Sequence, residues 1–284
     1  MILITAANGR TGRSVVRALL RAGHPLRLFD HNPGVQELAG EGAAEAVIGD
    51  LLEPRDVSRA VQGVRCVVHI GPPLHPREAE MGHNVVSAAR AAGVEHLVQF
   101  SLTHPQLEPL LNHQAKLAVE RVVLLSRMPF TILQPMHYMQ NIDVARVVAD
   151  GVLRQPYALD VPLQHVDLED VAEAAARVVS EGPRHYYATY EVCGDDYRNA
   201  RELADIISAE CGQTVVAEQI SFPAPATDGR RPSEADDYRV DALLRLLEHY
   251  GRYGITGNPN VLQWLLGRRP TSFAEFVRRS LACN

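Results

Sequence analysis

Lysine is the rarest charged residue in this sequence. Of its 28 lysine and arginine residues only Lys116 is a lysine, and it lies in the stretch NHQAKLAVE. An ammonium is a compact charge with three donors on a flexible stem, whereas a guanidinium is a rigid planar fork. A solvated surface position would accept either cation. Lys116 is therefore the first candidate for a binding or catalytic role, and the chance retention of one lysine is the alternative.

Two glycines follow the first apolar segment of the chain. In ITAANGRTGRSVV, Gly9 and Gly12 fall between a predicted strand and a predicted helix. Glycine there lets a pyrophosphate approach the backbone, while the helix N-terminus offers unpaired N–H groups and partial positive charge. We expect a dinucleotide to contact the residues at the tip of this turn, which are Asn8, Gly9, Arg10, Thr11 and Gly12.

Asp30 ends the second predicted strand in RLFDHNP. A carboxylate at this place accepts hydrogen bonds from the adenosine ribose and repels a 2′-phosphate, which favours NAD. Arg10, Arg13 and His31 are close enough in sequence to meet a phosphate, and a turn-forming role before HNP is the alternative for Asp30. We predict NAD as the cofactor, keep NADP as the alternative, and count His31 among the contacts.

Later strand ends provide further expected cofactor contacts. GDLLEP follows the third predicted strand and places Asp50 and Leu51 at the border of the adenine. HIGPP ends the fourth, so the backbone of Ile70, Gly71 and Pro72 is expected to pass along the nucleotide. Ordinary loop chemistry after buried strands is the alternative for all five.

The hydrophobic pattern predicts the scaffold for these residues. Short apolar runs alternate with longer amphipathic segments, beginning with MILIT and RSVVRALLRAG. This alternation predicts an α/β protein with a doubly wound parallel sheet, the Rossmann fold. We expect residues 1–150 to form a dinucleotide-binding domain. Residues 151–284 are expected to form a smaller mixed part, with one further strand in YYATYEVCG, that packs on the strand ends and binds substrate.

Composition excludes several classes of protein. The 284 residues carry a net charge of -6 and are 46% hydrophobic, which argues against a basic nucleic-acid binder. Cys66, Cys193, Cys211 and Cys283 are scattered, so we expect reduced thiols, and neither cysteine nor histidine spacing predicts a metal site. MILI lacks the charged start and long apolar run of a signal peptide, and no run reaches membrane-spanning length. We expect a cytoplasmic location.

Several stretches together resemble the NmrA-like group of atypical short-chain dehydrogenases/reductases. They are TAANGRTG, VIGDLLEP, NVVSAARAAGVEHLVQFS, NHQAKLAVERVV and FTILQPMHYMQN, followed by VDLEDVAEAAARVV and YEVCGDDYRNARELADIIS. The resemblance implies a Rossmann fold that binds NAD or NADP, in a group containing reductases of quinones or small aromatics as well as nucleotide-sensing regulators. It implies Gly9 and Gly12 at the pyrophosphate, Asp30 at the adenosine ribose and Lys116 at the nicotinamide ribose.

The resemblance adds two cofactor contacts and shows two departures. Ser101, which ends the fifth strand, matches the family's serine, with a helix cap or turn former as the alternative, and Pro135 ends the sixth. Ala6 stands where the family usually has its first glycine, and we expect the turn to tolerate it because alanine fits most turn dihedrals. Gln134 stands where an arginine is common, so one family cation is missing beside the expected cleft.

The usual proton donor is also missing. The typical short-chain reductases carry a tyrosine four residues before the lysine, and here that position is Asn112. Hydride addition to an ordinary ketone gives a basic alkoxide that needs an acid, whereas a quinone gives a delocalised phenolate. The sequence therefore favours a conjugated carbonyl substrate. Substitute donors are His113, His137 and Tyr138, with helix capping as the alternative for His113 and packing in a cleft wall as the alternative for Tyr138.

GPPLHPREAEMGHN and the proline-rich segment 221–237 are expected to form the substrate mouth. A flat apolar ligand there would contact Pro73, Met81, Met136, His137, Tyr138 and Met139. Gap filling in the core is the alternative for the three methionines. We predict an NAD(P)H-dependent oxidoreductase of an aromatic or quinone-like small molecule. The arginine-rich composition is typical of GC-rich bacteria, where relatives act on aromatic polyketides in antibiotic pathways. By that analogy it would reduce the substrate for an oxygen-dependent hydroxylation, as a monooxygenase component, with a partner protein or as a homodimer. The alternatives are a non-catalytic NAD(P)-binding redox sensor and an isomerase or dehydratase that retains its nucleotide.

Overall fold

The computed structural model describes residues 1–221 and 233–282. The chain forms two compact units, each assembled from separate stretches of sequence. Unit 1 comprises Met1–Glu108, Asn112–Gln134 and Val171–Tyr190, and unit 2 comprises Pro109–Leu111, Pro135–Asp170 and the described part of Glu191–Asn284. This division differs from the expected one at residue 150, because residues 135–150 pack within unit 2 and residues 171–190 return to unit 1.

The strands follow the chain in this order: β1 (Ile2–Thr5), β2 (Leu26–Asp30), β3 (Glu45–Ile48), β4 (Cys66–Ile70), β5 (His96–Phe100), β6 (Phe130–Pro135), β7 (His137–Tyr138), β8 (Val152–Gln155), β9 (Leu163–Val166), β10 (Ala188–Val192), β11 (Asp196–Arg198) and β12 (Val216–Gln219). The helices are α1 (Arg10–Arg21), α2 (Val35–Ala39), α3 (Pro54–Ala60), α4 (Glu78–Ala91), α5 (Leu111–Leu125), α6 (Val144–Asp150), α7 (Leu168–Glu181), α8 (Ala200–Cys211), α9 (Glu234–Tyr253), α10 (Asn260–Leu266) and α11 (Phe273–Ala282).

Unit 1 is built on a seven-stranded sheet in the order β10-β6-β5-β4-β1-β2-β3. Each neighbouring pair from β3 across to β6 is parallel. The chain winds outward from β1 to β3 on one side and then from β4 to β6 on the other. The carboxyl ends of β1 and β4 therefore flank the switch point where such sheets bind ligands. The predicted Rossmann fold is confirmed.

The central strands of this sheet are buried along their length, whereas the edge strand β3 is partly exposed. Every residue of β1 and β4 is buried, as expected for strands of a parallel sheet inside two helical layers. One face packs Val67 and Leu97 against Val85 of α4 and Val119 of α5 in a single hydrophobic cluster. This packing fixes α4, which carries Glu78, and α5, which carries Lys116, against the sheet.

Unit 2 contains two small sheets. In the first, β9 pairs antiparallel with β11 and parallel with β7, and in the second β12 pairs parallel with β8. Its helices α6, α8 and α11 share an apolar cluster that includes Val147, Ile207 and Phe273. The expected strand in YYATYEVCG forms as β10, but it joins the edge of the central sheet.

Part of the proline-rich segment expected at the substrate mouth, residues 222–232, lies outside the described residues, as does Cys283. Ser233 then caps α9, accepting a hydrogen bond from the backbone N–H of Asp236. Within residues 1–221 and 233–282, no helix is long and apolar enough to cross a membrane. In the same residues, no group of three or more histidine, cysteine, aspartate or glutamate side chains is arranged to hold a metal ion.

Candidate functional site

The first turn, Ala6–Gly12, links β1 to α1. Its two glycines differ in how much space a side chain would have at each position. A Cβ on Gly12 would overlap the carbonyl oxygen of Ala6 and lie 2.6 Å from that of Ala7. Gly9 has an ordinary φ of -71°, and a Cβ there would meet only the Ala6 oxygen, at 3.3 Å. The close approach of the turn therefore requires Gly12, whereas a Cβ at Gly9 would make one tight contact that a small shift of the Ala6 carbonyl could relieve.

The backbone of Ala6 corrects one expectation. Its φ is +46°, in the left-handed region, where the Cβ of an L-residue crowds the backbone at a cost of about 1–2 kcal/mol. Alanine at this point is therefore strained. The turn therefore carries this cost in stability at a position where the family usually has glycine.

Asp30 braces the first turn. Its side chain is 5% exposed, and its Oδ2 accepts a hydrogen bond from the backbone N–H of Asn8 at 2.9 Å. Its Oδ1 accepts from the N–H of Asn32 at 2.8 Å, and the His31 ring lies 3.4 Å away. The turn-forming role left open above is thus present. Each carboxylate oxygen has a second lone pair, so this bracing does not use up the acceptors that a ribose would need.

Arg13 also supports the turn. Its Nε donates to the carbonyl oxygen of Asn8 at 3.0 Å, and its Nη2 donates to the Asn8 side-chain oxygen at 2.5 Å. The Arg13 guanidinium therefore binds Asn8, whose backbone N–H donates to Asp30. Arg10 and Gly9 are exposed at the start of α1, and Thr11 is half-buried.

A hydroxyl joins the ends of β1 and β4. Thr5 Oγ1 accepts from the N–H of Ile70 at 2.9 Å, donates to the Ile70 carbonyl at 3.0 Å, and lies 2.8 Å from Nδ1 of His69. His69 is fully enclosed, and burial, with a smaller effect of the Lys116 charge, lowers its pKa to about 3. The imidazole is therefore neutral at physiological pH. This contact holds the first turn next to Gly71.

Lys116 lies on α5 with its ammonium at the carboxyl end of β4. Its Nζ is 2.7 Å from Oε1 of Glu78 and donates to the Phe100 carbonyl at 3.3 Å. A Cβ on Gly71 would come within 3.5 Å of Nζ and 3.0 Å of Oε1 of Glu78. The lone lysine is thus an almost buried cation, 10% exposed, held at the tip of the sheet where the nucleotide was expected.

Three buried polar atoms in this part of unit 1 have no partner among the described residues. They are Oε2 of Glu78, Oγ of Ser101 and Oδ1 of Asn112, whereas Oε1 of Glu78 faces the ammonium. Ser101 follows the residue whose carbonyl Lys116 contacts, and Asn112 precedes Lys116 by one helical turn. We call Gly71, Glu78, Ser101, Asn112 and Lys116 the lysine cluster. Buried polar atoms are nearly always paired in folded proteins, so this concentration indicates a place for a polar ligand.

The other expected cofactor residues lie at strand ends in different environments. Asp50 is exposed and accepts from the N–H of Leu52 at 2.8 Å. Leu51 is buried and belongs to the unit 1 core. Ile70 and Pro135 are buried at the ends of β4 and β6, while Pro72 is half-buried.

Of the three candidate proton donors, His113 has the contacts of a structural residue. His113 is wholly buried, and its Nδ1 contacts the carbonyl oxygen of His104 at 2.8 Å. Tyr138 is half-buried and pairs with Val166 of β9. The ring of His137 is also half-buried, and its Nε2 contacts the Asn141 amide at 3.2 Å.

The candidate substrate residues separate into core and surface positions. Met81 packs in the hydrophobic cluster of unit 1, and Met139 is fully buried in that of unit 2. Both are filling cores, the common role of methionine. Met136 is 4% exposed, whereas Pro73 lies at the surface.

Sequence reasoning missed two buried groups. Glu78 lies in a first helical turn, where acidic residues are common for reasons of helix polarity, so nothing in the sequence linked it to Lys116. His165 of β9 stands in register with His137, with ring centroids 5.4 Å apart. Both His165 nitrogens lack partners within the described part of the chain, and burial, aided by His137, lowers its pKa to about 3.

Comparison with known proteins identifies the family to which this chain belongs. The model of the NmrA-like family matches residues 1–250, which extends the similarity through most of α9. The chain belongs to the NmrA-like family. This confirms the resemblance drawn from the sequence motifs and agrees with the doubly wound sheet of unit 1.

Three NmrA-like or related reductases are similar over most of the chain. An Escherichia coli NADPH-dependent quinone oxidoreductase, solved with NADPH, is 28% identical, with 100% of both chains covered and a TM-score of 0.80. A Citrobacter sp. triphenylmethane reductase, solved with NADP(H), is 25% identical over 99% of this chain and 100% of that chain, with a TM-score of 0.81. A (4-alkanoyl-5-oxo-2,5-dihydrofuran-3-yl)methyl phosphate reductase of Streptomyces griseus is 31% identical, over 80% of this chain and 79% of its own length.

Proposed function

We propose that this protein is an NAD(P)H-dependent oxidoreductase that transfers hydride to a conjugated, quinone-like aromatic acceptor in a small molecule. The observation that carries the proposal is the lysine cluster, in which a nearly buried ammonium stands beside Gly71 with Asn112 in place of a phenol. The position at the switch point of the sheet suits a nucleotide. The unpartnered oxygens around the ammonium suit the hydroxyl groups of a sugar or substrate.

The residues present fit a dinucleotide. The pyrophosphate would lie at the first turn, where Gly9 has no side chain to obstruct the backbone N–H groups and α1 begins. Asp30 would accept from the adenosine ribose, and Lys116 would hold the nicotinamide ribose. Bound NAD(P)H supplies the hydride. Asp30 favours NADH by its charge, and relatives solved with NADPH or NADP(H) support NADPH as the alternative.

The missing acid is consistent with the acceptors named for the relatives. A quinone, a triphenylmethane dye and an alkanoyl dihydrofuranone are all conjugated, so hydride addition leaves little localised negative charge. The Lys116 charge would stabilise what remains. Protonation by water then suffices, and neither His113 nor Tyr138 is needed as a positioned donor.

The test is direct. Purified protein is mixed with NADH or NADPH and a panel of naphthoquinones and anthraquinones, and absorbance of the reduced nicotinamide is followed. We expect oxidation with at least one acceptor, and turnover with a simple aliphatic ketone at least about 100-fold slower, the typical contribution of a positioned acid. Nucleotide binding without oxidation of either cofactor would favour the redox sensor, and absence of binding would refute the proposal altogether.

A finer part of the proposal concerns oxygen. A reduced polyketide quinone reacts with O₂, so the protein would act as the reducing component of a hydroxylation in antibiotic biosynthesis, with a partner protein or as a homodimer. Similarity to a Streptomyces griseus reductase supports that setting. Oxygen uptake stoichiometric with NAD(P)H oxidation is expected with such a substrate, whereas oxidation without oxygen uptake would restrict the protein to simple reduction.

A further inference from the structure

The ion pair of Lys116 and Glu78 lacks a stabilising explanation within the fold. The Glu78 side chain is 2% exposed, its Oε1 lies 2.7 Å from Lys116 Nζ, and its Oε2 has no partner in the described residues. A buried ion pair commonly adds nothing to stability over an apolar pair of similar size, because desolvation offsets the attraction. Retention of both charges therefore points to a use for the ammonium.

The two contacts of Lys116 define where its remaining donor goes. An ammonium has three N–H donors. One faces Glu78 at 2.7 Å and one the Phe100 carbonyl at 3.3 Å, and within the described chain these are its partners. The third is left for a ligand next to Gly71, whose missing Cβ would have touched both Nζ and Oε1.

Glu78 is held independently of Lys116. It belongs to the first turn of α4, a helix that buries Met81 and Val85 against the unit 1 core. Its carboxylate is thus a fixed point on a rigid element, whereas the lysine stem alone is flexible. A flexible cation loses rotamer entropy on binding a ligand unless it is already fixed.

We propose that Glu78 is a positioning residue, which together with the Phe100 carbonyl fixes the Lys116 ammonium so that it binds the nicotinamide ribose of the nucleotide. The inference rests on the proposed function, since it assumes that a dinucleotide lies at this end of the sheet. It assigns Glu78 no contact with the substrate. It also accounts for the lysine, since a forked guanidinium cannot share one nitrogen among three directions in this way.

The test compares Glu78→Gln with Glu80→Gln. Glu80 lies on the same first turn of α4 but is exposed and paired with Arg77, so its change is the matched control. Dissociation constants are measured by calorimetry for three ligands: ADP, which lacks the second ribose, ADP-ribose, which has it, and NADH or NADPH. We expect Glu78→Gln to weaken ADP-ribose and the complete nucleotide at least about tenfold, the usual effect of a charged hydrogen bond, and to leave ADP unchanged.

Each outcome decides a different point. Equal weakening of all three ligands would mean that Glu78 only supports the fold, and an unchanged ADP-ribose constant would mean that it does not position the lysine. Either result overturns the inference while the proposed function stands. Failure of the unaltered protein to bind NADH and NADPH would instead overturn the proposed function. Glu78→Met provides the same ligand comparison if the amide variant does not fold.

Discussion

The first turn and the lysine cluster lie at neighbouring strand ends of unit 1, yet they differ in how completely the protein itself hydrogen-bonds their polar groups. In the first turn Asn8 is bound twice: its backbone N–H donates to the Asp30 carboxylate, and its two oxygens accept from the Arg13 guanidinium. In the lysine cluster Oε2 of Glu78, Oγ of Ser101 and Oδ1 of Asn112 are buried and have no partner among the described residues. The turn is completed by the protein and offers a ligand its backbone, whereas the cluster is left to be completed by a ligand's own polar groups.

The largest expected effect comes from removing the cation of the lysine cluster. Lys116→Met leaves the Glu78 carboxylate buried without a counter-charge, and we expect a loss of about 3 kcal/mol in the free energy of unfolding. Adding Glu78→Leu should restore most of it, because an apolar pair needs no hydration. Urea unfolding measures both. Arg121→Met, at an exposed position on the same helix, is the control and should stay within about 0.5 kcal/mol. An unaffected single variant would mean that the pair is not a buried ion pair in solution.

The next effect distinguishes the two glycines of the first turn. Gly12→Ala forces a methyl group against the carbonyl oxygens of Ala6 and Ala7, which should cost about 2 kcal/mol of stability through overpacking. Gly9→Ala meets only one atom at 3.3 Å and should change stability by less than about 0.5 kcal/mol. Nucleotide affinity should fall in both. If Gly9→Ala binds ADP as well as the unaltered protein, the space at Gly9 is not used by a phosphate.

The fold and the glycine turn could be predicted from the sequence, whereas the Glu78–Lys116 pair and the short strands of unit 2 could not, for physical reasons. Alternating apolar runs predict βα units, and glycines at the first strand-to-helix turn predict a phosphate loop, because both patterns repeat locally along the chain. The pairing of Glu78 with Lys116 joins α4 to α5, and the two residues are 38 positions apart in the sequence. No local pattern encodes such a contact. Likewise β7, β9 and β11 are two to four residues long, too short for a period of two to be recognised.

A third prediction concerns His69, which contacts Thr5 beside the first turn and whose pKa is affected by Lys116 of the lysine cluster. The pKa of His69 is lowered to about 3, first by burial and then by the Lys116 charge, whereas an unfolded histidine titrates near 6.5. Between these values the unfolded chain binds one more proton than the folded one at this residue, so stability falls as pH drops from about 6.5 towards about 3. The contribution is up to about 1.4 kcal/mol per pH unit. Urea unfolding between pH 7 and pH 5 is the measurement.

His69→Gln should flatten this dependence by one proton, and His31→Gln is the control because that ring is 85% exposed. Burial also lowers the pKa of His96 to about 4 and that of His165 to about 3, so the remaining slope should reflect those residues. An unchanged slope in His69→Gln would show that the pKa of this ring is the same in the folded and unfolded protein, despite its burial and its contact with Thr5.

The smallest expected effect is a gain in stability at the first turn. Ala6 has a φ of +46°, and glycine removes the steric cost of that conformation while making the unfolded chain more flexible. The two effects leave a net gain of about 0.5–1 kcal/mol for Ala6→Gly, measured by urea unfolding. Ala7→Gly is the matched control, and it should lose stability because Ala7 is fully buried and has no left-handed backbone to relieve. If the turn is already complete without a ligand, Ala6→Gly should leave the dissociation constant for ADP unchanged within about twofold. A large change in ADP affinity would instead mean that the strain at Ala6 belongs to the nucleotide site.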